Sequence, residues 1–343
     1  MTDDISGAAG ARPATIYDVA RAAGVSIATV SNVLNRPERV GAATRERVIQ
    51  AADELRYMPK SEAAIRARAR IGRIAVAAPF SVYPSYLRRL VGVLRGLNDR
   101  GFEVVIIDEE SAAMSRSPVL ATLPVRGSID GLIAMGRSLA DATEQRLVDR
   151  SLPVVVVDAT SPRFSAVMVD DFEGGRLAAV HLIELGHRRL GYILERQVSE
   201  YDSQARRRLD GVRQAVGEIG GEVIAEGAGG SVADGGRAAR ALLDRDPGIT
   251  AVMAHYDDLA IGALEALRTT GLRVPDDISL MGYDDGLPAE AAGLSTVRQP
   301  FEETGVVAAG LLIASLDGER SRSTTQLPTE LVVRRTSGRV RSM

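Results

Sequence analysis

Thr15-Ile-Tyr-Asp-Val-Ala-Arg-Ala-Ala-Gly-Val-Ser-Ile-Ala-Thr-Val-Ser-Asn-Val-Leu-Asn35 is the stretch on which the reading of this chain turns. It predicts two short helices with a sharp turn between them. Thr15 is placed to cap the first helix, and Asp18, three residues on, completes a capping box against free backbone N–H groups. Ile16, Val19, Ala20 and Ala23 supply an apolar face at helical spacing. Gly24 can take the left-handed conformation that ends a helix. Val25 is available to plug a small core, and Ser26 caps the second helix. Val30, Val33 and Leu34 face inward from it, which leaves Ile27, Ala28, Thr29, Ser31 and Asn32 outside, small and polar enough to enter a groove. The pattern is a helix-turn-helix, whose second helix fits the major groove of B-DNA. By itself it is equally the pattern of a helical hairpin in an ordinary core.

Tyr17-Asp18-Val19-Ala20, Ala23-Gly24-Val25-Ser26 and Thr29 to Asn35 resemble the N-terminal signature of the lactose/galactose-repressor family. The likeness continues through Thr44 to Val48 and Tyr57-Met58-Pro59 and extends over nearly the whole chain. It implies a repressor in which Ile27, Ala28 and Asn32 read base edges, with Asn32 on an adenine and the two apolar residues on thymine methyls. Tyr17, Ser26, Thr29, Ser31 and Arg45 fall to phosphates. Family members carry a hinge that becomes helical on DNA and wedges a leucine into the minor groove. Counted from Pro59, the wedge position here is Arg66, preceded by Ile65. Three readings stay open: Ile65 as the wedge after a local shift, Arg66 as a cation in the groove, or arginines that only line phosphates.

Composition agrees with several units. The chain has 343 residues, 45% hydrophobic and 25% charged, enough for a sizeable core in two or three units. It has no cysteine and no tryptophan, which excludes a disulfide framework, a cysteine nucleophile and zinc–thiolate sites. The first residues lack the basic and apolar regions of a signal peptide, and no apolar run suits a bilayer, so a cytoplasmic protein without membrane contact is expected. The net charge is −3, yet Arg12 to Arg73 holds 12 Lys/Arg against 6 Asp/Glu, a local +6 that leaves −9 for the rest. A basic head on an acidic body is the footprint of a small phosphate-contacting module.

In chain order, residues 1–12 read as a disordered tail, 13–58 as the all-α head, and 59–73 as the hinge. A third helix is predicted over Ala42 to Leu55, with Val48, Ala51, Ala52 and Leu55 inward. Gly41 stands where the family usually has a serine cap. From Ile74 the pattern is β-α-β: strand-like, largely apolar runs such as Ile74–Ala78, Ile129–Met135, Val154–Val157 and Ala251–Ala254 alternate with helical segments. That predicts an α/β core, 74–337, of parallel sheets covered on both faces. Two doubly wound subdomains resembling a type I periplasmic binding protein are expected, one from about 74–169 and 299–326, the other from 170–298 and 327–337. A ligand cleft then belongs at the carboxyl ends of their strands.

Asp158, Tyr256-Asp257-Asp258 and Asp284 end strands, Arg208 opens a helix, and Gln299-Pro300-Phe301 lies at a crossover. By resemblance, Asp158, Arg208, Asp284 and Gln299 fall on positions that hydrogen-bond an effector, usually a sugar or purine, while Phe301 and Tyr83 offer apolar contact. Carboxylates and Arg suit adjacent hydroxyls. Tyr256 replaces an asparagine usual in the family and so narrows the pocket or stacks on ligand. Asp170, Asp171, Asp257 and Asp258 are read as helix caps or loop ion pairs. His187 is read as a helix-terminus residue, and Gly227–Gly236 as a flexible crossover. His181, His187 and His255 lack metal-ligand spacing, and no nucleophile elbow, P-loop or dinucleotide fingerprint is present. The expectation is a cofactor-free, non-enzymatic homodimeric repressor of a palindromic operator on double-stranded DNA, controlled by a sugar-like effector. A soluble sugar-binding receptor, a sugar-processing hydrolase and a ligand-independent repressor are the rivals.

Overall fold

The computed structural model describes residues 14–55, 57, 72–109, 129–136, 138–196, 204–319 and 321–341. Most of the hinge, with Ile65 and Arg66, and the tail 1–12 lie outside them. The head is three helices, α1 (Ile16–Ala23), α2 (Ile27–Asn35) and α3 (Ala42–Glu54), with a 3₁₀ turn at Pro37–Arg39. The capping box forms, Thr15 N–H donating to Asp18 Oδ2 at 2.9 Å and Asp18 N–H to Thr15 Oγ1 at 3.4 Å. Gly24 takes φ +63° at the end of α1. Val19, Val30, Val33, Val48 and Ile49 are fully buried in the miniature core that Tyr57 closes. Leu55, expected inside, is 36% exposed: α3 stops at Glu54, so Leu55 leaves the helical face and Ile49 takes the core position. Gly41 starts α3 with no side-chain cap.

The first subdomain is built on β1 (Arg73–Ala78), β2 (Glu103–Asp108), β3 (Gly131–Met135), β4 (Val154–Val157) and β5 (Ser165–Val169), with α4 (Ser85–Leu97) and α5 (Asp141–Asp149) between strands. The second carries α6 (Asp171–Glu184), β6 (Arg189–Glu195), α7 (Gln204–Glu218), β7 (Glu222–Ala228), α8 (Val232–Arg245), β8 (Ala251–Ala254), α9 (Asp257–Thr269), β9 (Ser279–Met281), α10 (Leu287–Ala292) and β10 (Thr296–Arg298). The chain then returns through α11 (Phe301–Leu316) and β11 (Thr324–Leu327) to the first sheet and crosses back in β12 (Glu330–Val332). The two parallel sheets have orders β11-β5-β4-β3-β1-β2 and β7-β6-β8-β9, and β10 pairs antiparallel with β12. All four residues of β4 are buried, as strands covered on both faces require. The chain thus passes between the halves after β5, β10 and β11.

The structure differs from the sequence reading at several elements, among them the unanticipated α10 and β10. Gly227–Gly236 is not a loose crossover: β7 runs to Ala228, Ser231 caps α8 in a second capping box with Asp234, and Gly235 presses on the backbone of Leu259. Those glycines serve close helix packing. β11 went unread, because an edge strand with exposed Thr324 and Gln326 lacks an apolar run.

The head rests on the core through ion pairs. Arg146 of α5 lies 2.9 Å from Glu46 of α3, and Arg150, just past α5, lies 2.9 Å from Asp53 and also reaches the carbonyl of Ala52. Asp53 is pushed up by burial, with Arg150 pulling it back.

Candidate nucleic-acid face and effector cleft

On the head, Ile27 (40% exposed) and Tyr17 (63% exposed) stand out from the surface, with Ala28 and Asn32 exposed beside them. This is the open face expected of a recognition helix. Ser26 and Thr29 also serve locally: Ser26 Oγ accepts the Thr29 N–H at 3.1 Å and pairs with Thr29 Oγ1 at 2.9 Å. Ser31 is half-buried. Arg45, assigned to phosphate, donates to the carbonyls of Pro37 and Val40 at 3.4 Å, so it also shapes the loop between α2 and α3.

Between the subdomains lies a cavity of about 320 Å³, and Tyr83, Asp158, Arg208, Tyr256, Asp284, Gln299 and Phe301 all line it. The way they arrive there follows from the backbone. Asp158, at the end of β4, and Asp284, beyond β9, have φ +57° and +112°, conformations unusual for residues with a side chain. Such backbones persist only where the surroundings fix them. Asp158 Oδ2 is 2.5 Å from Arg89 Nη2, both side chains at most 4% exposed. The Arg89 guanidinium in turn lies 4.4 Å from the ring centre of Phe301 and 5.1 Å from that of Tyr86. On the opposite wall, Gly175 of α6 and Gly211 of α7 let the two helix backbones touch, at positions where a Cβ would collide with the carbonyls of Arg208 and Phe172. That contact sets Arg208 against Asp171, Nε to Oδ1 at 2.7 Å, while its Nη1 donates to the His255 carbonyl at 2.7 Å. The Tyr283 ring centre is 3.8 Å from the guanidinium. Gln299 Nε2 donates to Asp284 Oδ1 at 2.5 Å.

Four acids that follow strands are expected as helix caps or loop ion pairs, and two of them, Asp257 and Asp258, line the cleft. Asp170 caps α6 as expected, accepting the Glu173 N–H at 3.0 Å. Asp171 forms an ion pair with Arg208, buried in the core, its pKa pushed up to about 6 by burial against the pull of Arg208. Asp257 lines the cavity, accepting from Thr296 Oγ1 at 2.7 Å and the Gly286 N–H at 2.8 Å, and burial then Asp284 push it up to about 8. Asp258 lines it too, half-buried. The first turn of a helix that follows a strand points into the cleft as readily as along the helix axis, so spacing does not separate the two fates. His187 likewise is no mere terminus: buried, it joins Thr250, Ser279 and the Gly338 carbonyl at 2.9–3.0 Å and ties down the C-terminal segment. Arg88, Arg89, Tyr86, Glu195, Gln204 and His255 line the cleft without having been singled out. The i, i+3 pairing of Tyr86 and Arg89 on α4 was the available signal.

Tyr256 narrows the pocket as expected. It is 9% exposed, its hydroxyl donates to the Gly230 carbonyl at 2.9 Å, and its ring meets Tyr83 edge-on at 6.4 Å. Tyr83 reaches across the cleft and donates to Glu195, its hydroxyl 2.8 and 3.0 Å from the two carboxylate oxygens. Burial pushes Glu195 up, with the Tyr83 and Tyr256 hydroxyls pulling it back. Three buried polar atoms of the lining have no hydrogen-bond partner among the described residues: Asp158 Oδ1 and Arg89 Nε on one wall, His255 Nδ1 on the other. Burial, then Arg208, hold the His255 imidazole well below its usual range, hence neutral. Among the described residues no cluster suits a metal ion and no helix is long and apolar enough to cross a membrane.

Comparison with known proteins gives this geometry its family. Residues 15–60 match the model for bacterial regulatory proteins of the lacI family, and residues 179–337 match a periplasmic binding protein-like domain. The chain is 33% identical over 331 residues to the HTH-type transcriptional regulator DegA of Bacillus subtilis, covering 93% of this chain and 97% of that one. It is 34% identical over 338 residues to the regulator CelR of Thermobifida fusca, covering 94% and 98%. Among solved structures, a CelR–cellobiose complex aligns with TM-score 0.69 and 32% identity over 95% of this chain and all of that one. The lac repressor dimer bound to operator and an anti-inducer aligns with TM-score 0.68 and 29% identity over the same shares. With an exposed recognition helix, a two-lobed core and relatives alike from end to end, the chain belongs to the lacI family of DNA-binding transcriptional regulators.

Proposed function

We propose that this regulator is a homodimeric repressor whose affinity for a palindromic operator is set by a small sugar-like effector held in the cleft. The observation that carries the effector reading is the set of partnerless buried atoms on facing walls, Asp158 Oδ1 and Arg89 Nε against His255 Nδ1. Buried polar groups are nearly always satisfied. A polyhydroxylated ligand bridging the walls supplies donors and acceptors to both, and so stabilises one relative orientation of the halves. Bound effector and bound operator are then thermodynamically coupled, with equal and reciprocal effects on each other's affinity. A structural neighbour solved as a complex with cellobiose supports the ligand class. Tyr17, Ile27, Ala28 and Asn32 form the DNA-facing set, with Ser26, Thr29, Ser31 and Arg45 at its phosphate-side edge.

The dimer reading rests on α4. Leu87, Val91 and Leu94, spaced i, i+4, i+7, are 44–49% exposed, an apolar stripe that a second copy covers. Two heads on a two-fold axis call for a palindromic site. In this reading the cleft binds and performs no chemistry.

The test is fluorescence anisotropy of the full chain on palindromic DNA from its own promoter region, repeated at fixed salt with a panel of sugars. Sequence-specific binding shifted by one compound supports the reading. Binding indifferent to sequence and abolished by moderate salt refutes it.

A further inference from the structure

Two of the cavity's three guanidiniums are paired with carboxylates among the described residues. Arg89 is paired with Asp158 and Arg208 with Asp171, while Arg88 donates to the Asp285 carbonyl and lies 5.1 Å from the centre of the Phe301 ring. Among the described residues, three carboxylates of the lining have no cation within ion-pair distance: Glu195, Asp257 and Asp258. All belong to the wall that holds Tyr256, and Asp257 is met by the Thr296 hydroxyl and the Gly286 N–H. Glu195 receives only phenols, the Tyr83 hydroxyl from the other wall and that of Tyr256 beside it. Tyr83 stands edge-on to Tyr256 at 6.4 Å, and the hydroxyls of both rings meet Glu195, so two aromatic rings flank the carboxylate. A half-buried carboxylate among aromatic rings, without a cation, has the chemistry that recognises an ammonium group: ion pair and N–H donation on one side, ring quadrupoles on the other. A neutral sugar would satisfy the orphan atoms deeper in the cleft and leave this charge uncompensated. A phosphorylated or acidic sugar would meet it as a like charge; of the lining guanidiniums only Arg88, bonded to a carbonyl and set over the Phe301 ring, has no carboxylate partner among the described residues.

We propose that the effector carries a protonated amine, as an amino sugar or an amine-bearing glycoside does, and that its ammonium group displaces the Tyr83 hydroxyl from Glu195 and sits between Tyr83 and Tyr256. This rests on the cleft being the effector site and adds the charge class of the ligand. Because the displaced hydrogen bond spans the two walls, the amine exchanges one bridge across the cleft for another. Glu195 is therefore a specificity-determining residue.

Calorimetric titration of the full chain tests it, with D-glucosamine, D-galactosamine and the β-1,4-linked glucosamine dimer as probes. Each is compared with its N-acetylated and its neutral counterpart, cellobiose included, and with glucose 6-phosphate. The expected result is one amine that binds roughly tenfold or more tighter than both counterparts. In Glu195→Gln, checked for folding by its melting curve, that preference falls to within about twofold. In Tyr83→Phe, which keeps the ring and removes the hydroxyl that the amine displaces, it is retained or grows. A neutral or N-acetylated sugar that binds as tightly as its amine and shifts operator affinity overturns the amine assignment and leaves the repressor reading standing. Tighter binding of glucose 6-phosphate overturns it equally. If none of the compounds binds, the amine assignment and the sugar-effector reading fall together.

Discussion

Replacing Arg208 with methionine should destabilise the core strongly at pH 8 and much less at pH 5.5. Asp171 is 2% exposed, and burial pushes its pKa up to about 6 even with Arg208 pulling it down. An unfolded Asp titrates near 3.9, so ionisation is roughly a hundredfold harder in the fold, worth about 3 kcal/mol. For a carboxylate raised in this way, the wild type is most stable below about pH 4 and loses that increment as pH climbs to about 6. Without Arg208 the folded pKa rises further, so the loss continues through pH 7 and above. Below about pH 5.5 both proteins hold a mostly neutral Asp171. There they differ chiefly by the hydrogen bond to the His255 carbonyl and the contact with the Tyr283 ring. At pH 8 the wild type keeps a paired carboxylate, and the variant must protonate Asp171 or bury its charge unpaired, which costs about 3–5 kcal/mol. For a core of this size that is a fall in Tm of roughly 10 °C. Differential scanning calorimetry across pH 5.5–8 measures it, and Arg208→Met/Asp171→Asn, with no charge left to pair, should recover most of the loss and its pH dependence. A Tm difference unchanged between the two pH values, or no recovery in the double variant, would refute the pairing as the source of stability.

Other outcomes follow from the same structure. Gly24→Ala meets no neighbour but must hold φ +63°, so it should cost the head about 1–2 kcal/mol, read as a lower melting transition of the head and weaker operator binding. Val91→Glu combined with Leu94→Glu should turn the dimer into a monomer by sedimentation velocity, with the cavity still able to bind effector; a dimer that survives would place the interface elsewhere. Arg150→Glu should loosen the head from α5 and weaken operator binding severalfold, and adding Asp53→Arg should restore it, since the docked head leaves the recognition face open. Asn32→Ala should weaken operator binding by about 1–3 kcal/mol and relax specificity at one base pair, seen in anisotropy on singly substituted operators.

The head was legible almost atom by atom because its signals are local. A cap, a left-handed glycine and a 3.6-residue apolar period each act within one turn, and Thr15, Gly24 and Ser26 behave as their positions require. The β-α-β order was legible for a similar reason: a strand such as Val154–Val157, apolar at every position, has few places to go other than a parallel sheet covered on both faces. Leu55 and β11 mark the limit, since the first depends on where a helix stops and the second on pairing with Ser165–Val169 far off in sequence.

The cleft shows a different limit. Its seven anticipated residues converge, yet what each does was decided by partners that sequence spacing does not reveal. Asp171 and Asp158 are both acids at the carboxyl end of a strand in the same sheet. Position makes the first a helix cap or ion-pair partner and resemblance makes the second a ligand group, and the structure bonds each to an arginine more than 35 residues away in sequence, Arg208 and Arg89 respectively. Glu195 is the converse case: it closes an unremarkable strand, and its significance comes from having a tyrosine from the other lobe and no cation. Charge pairing inside an α/β cleft is therefore a property of how two lobes meet. In such a pocket the acid without a partner says more about the ligand than the acids whose positions match a motif.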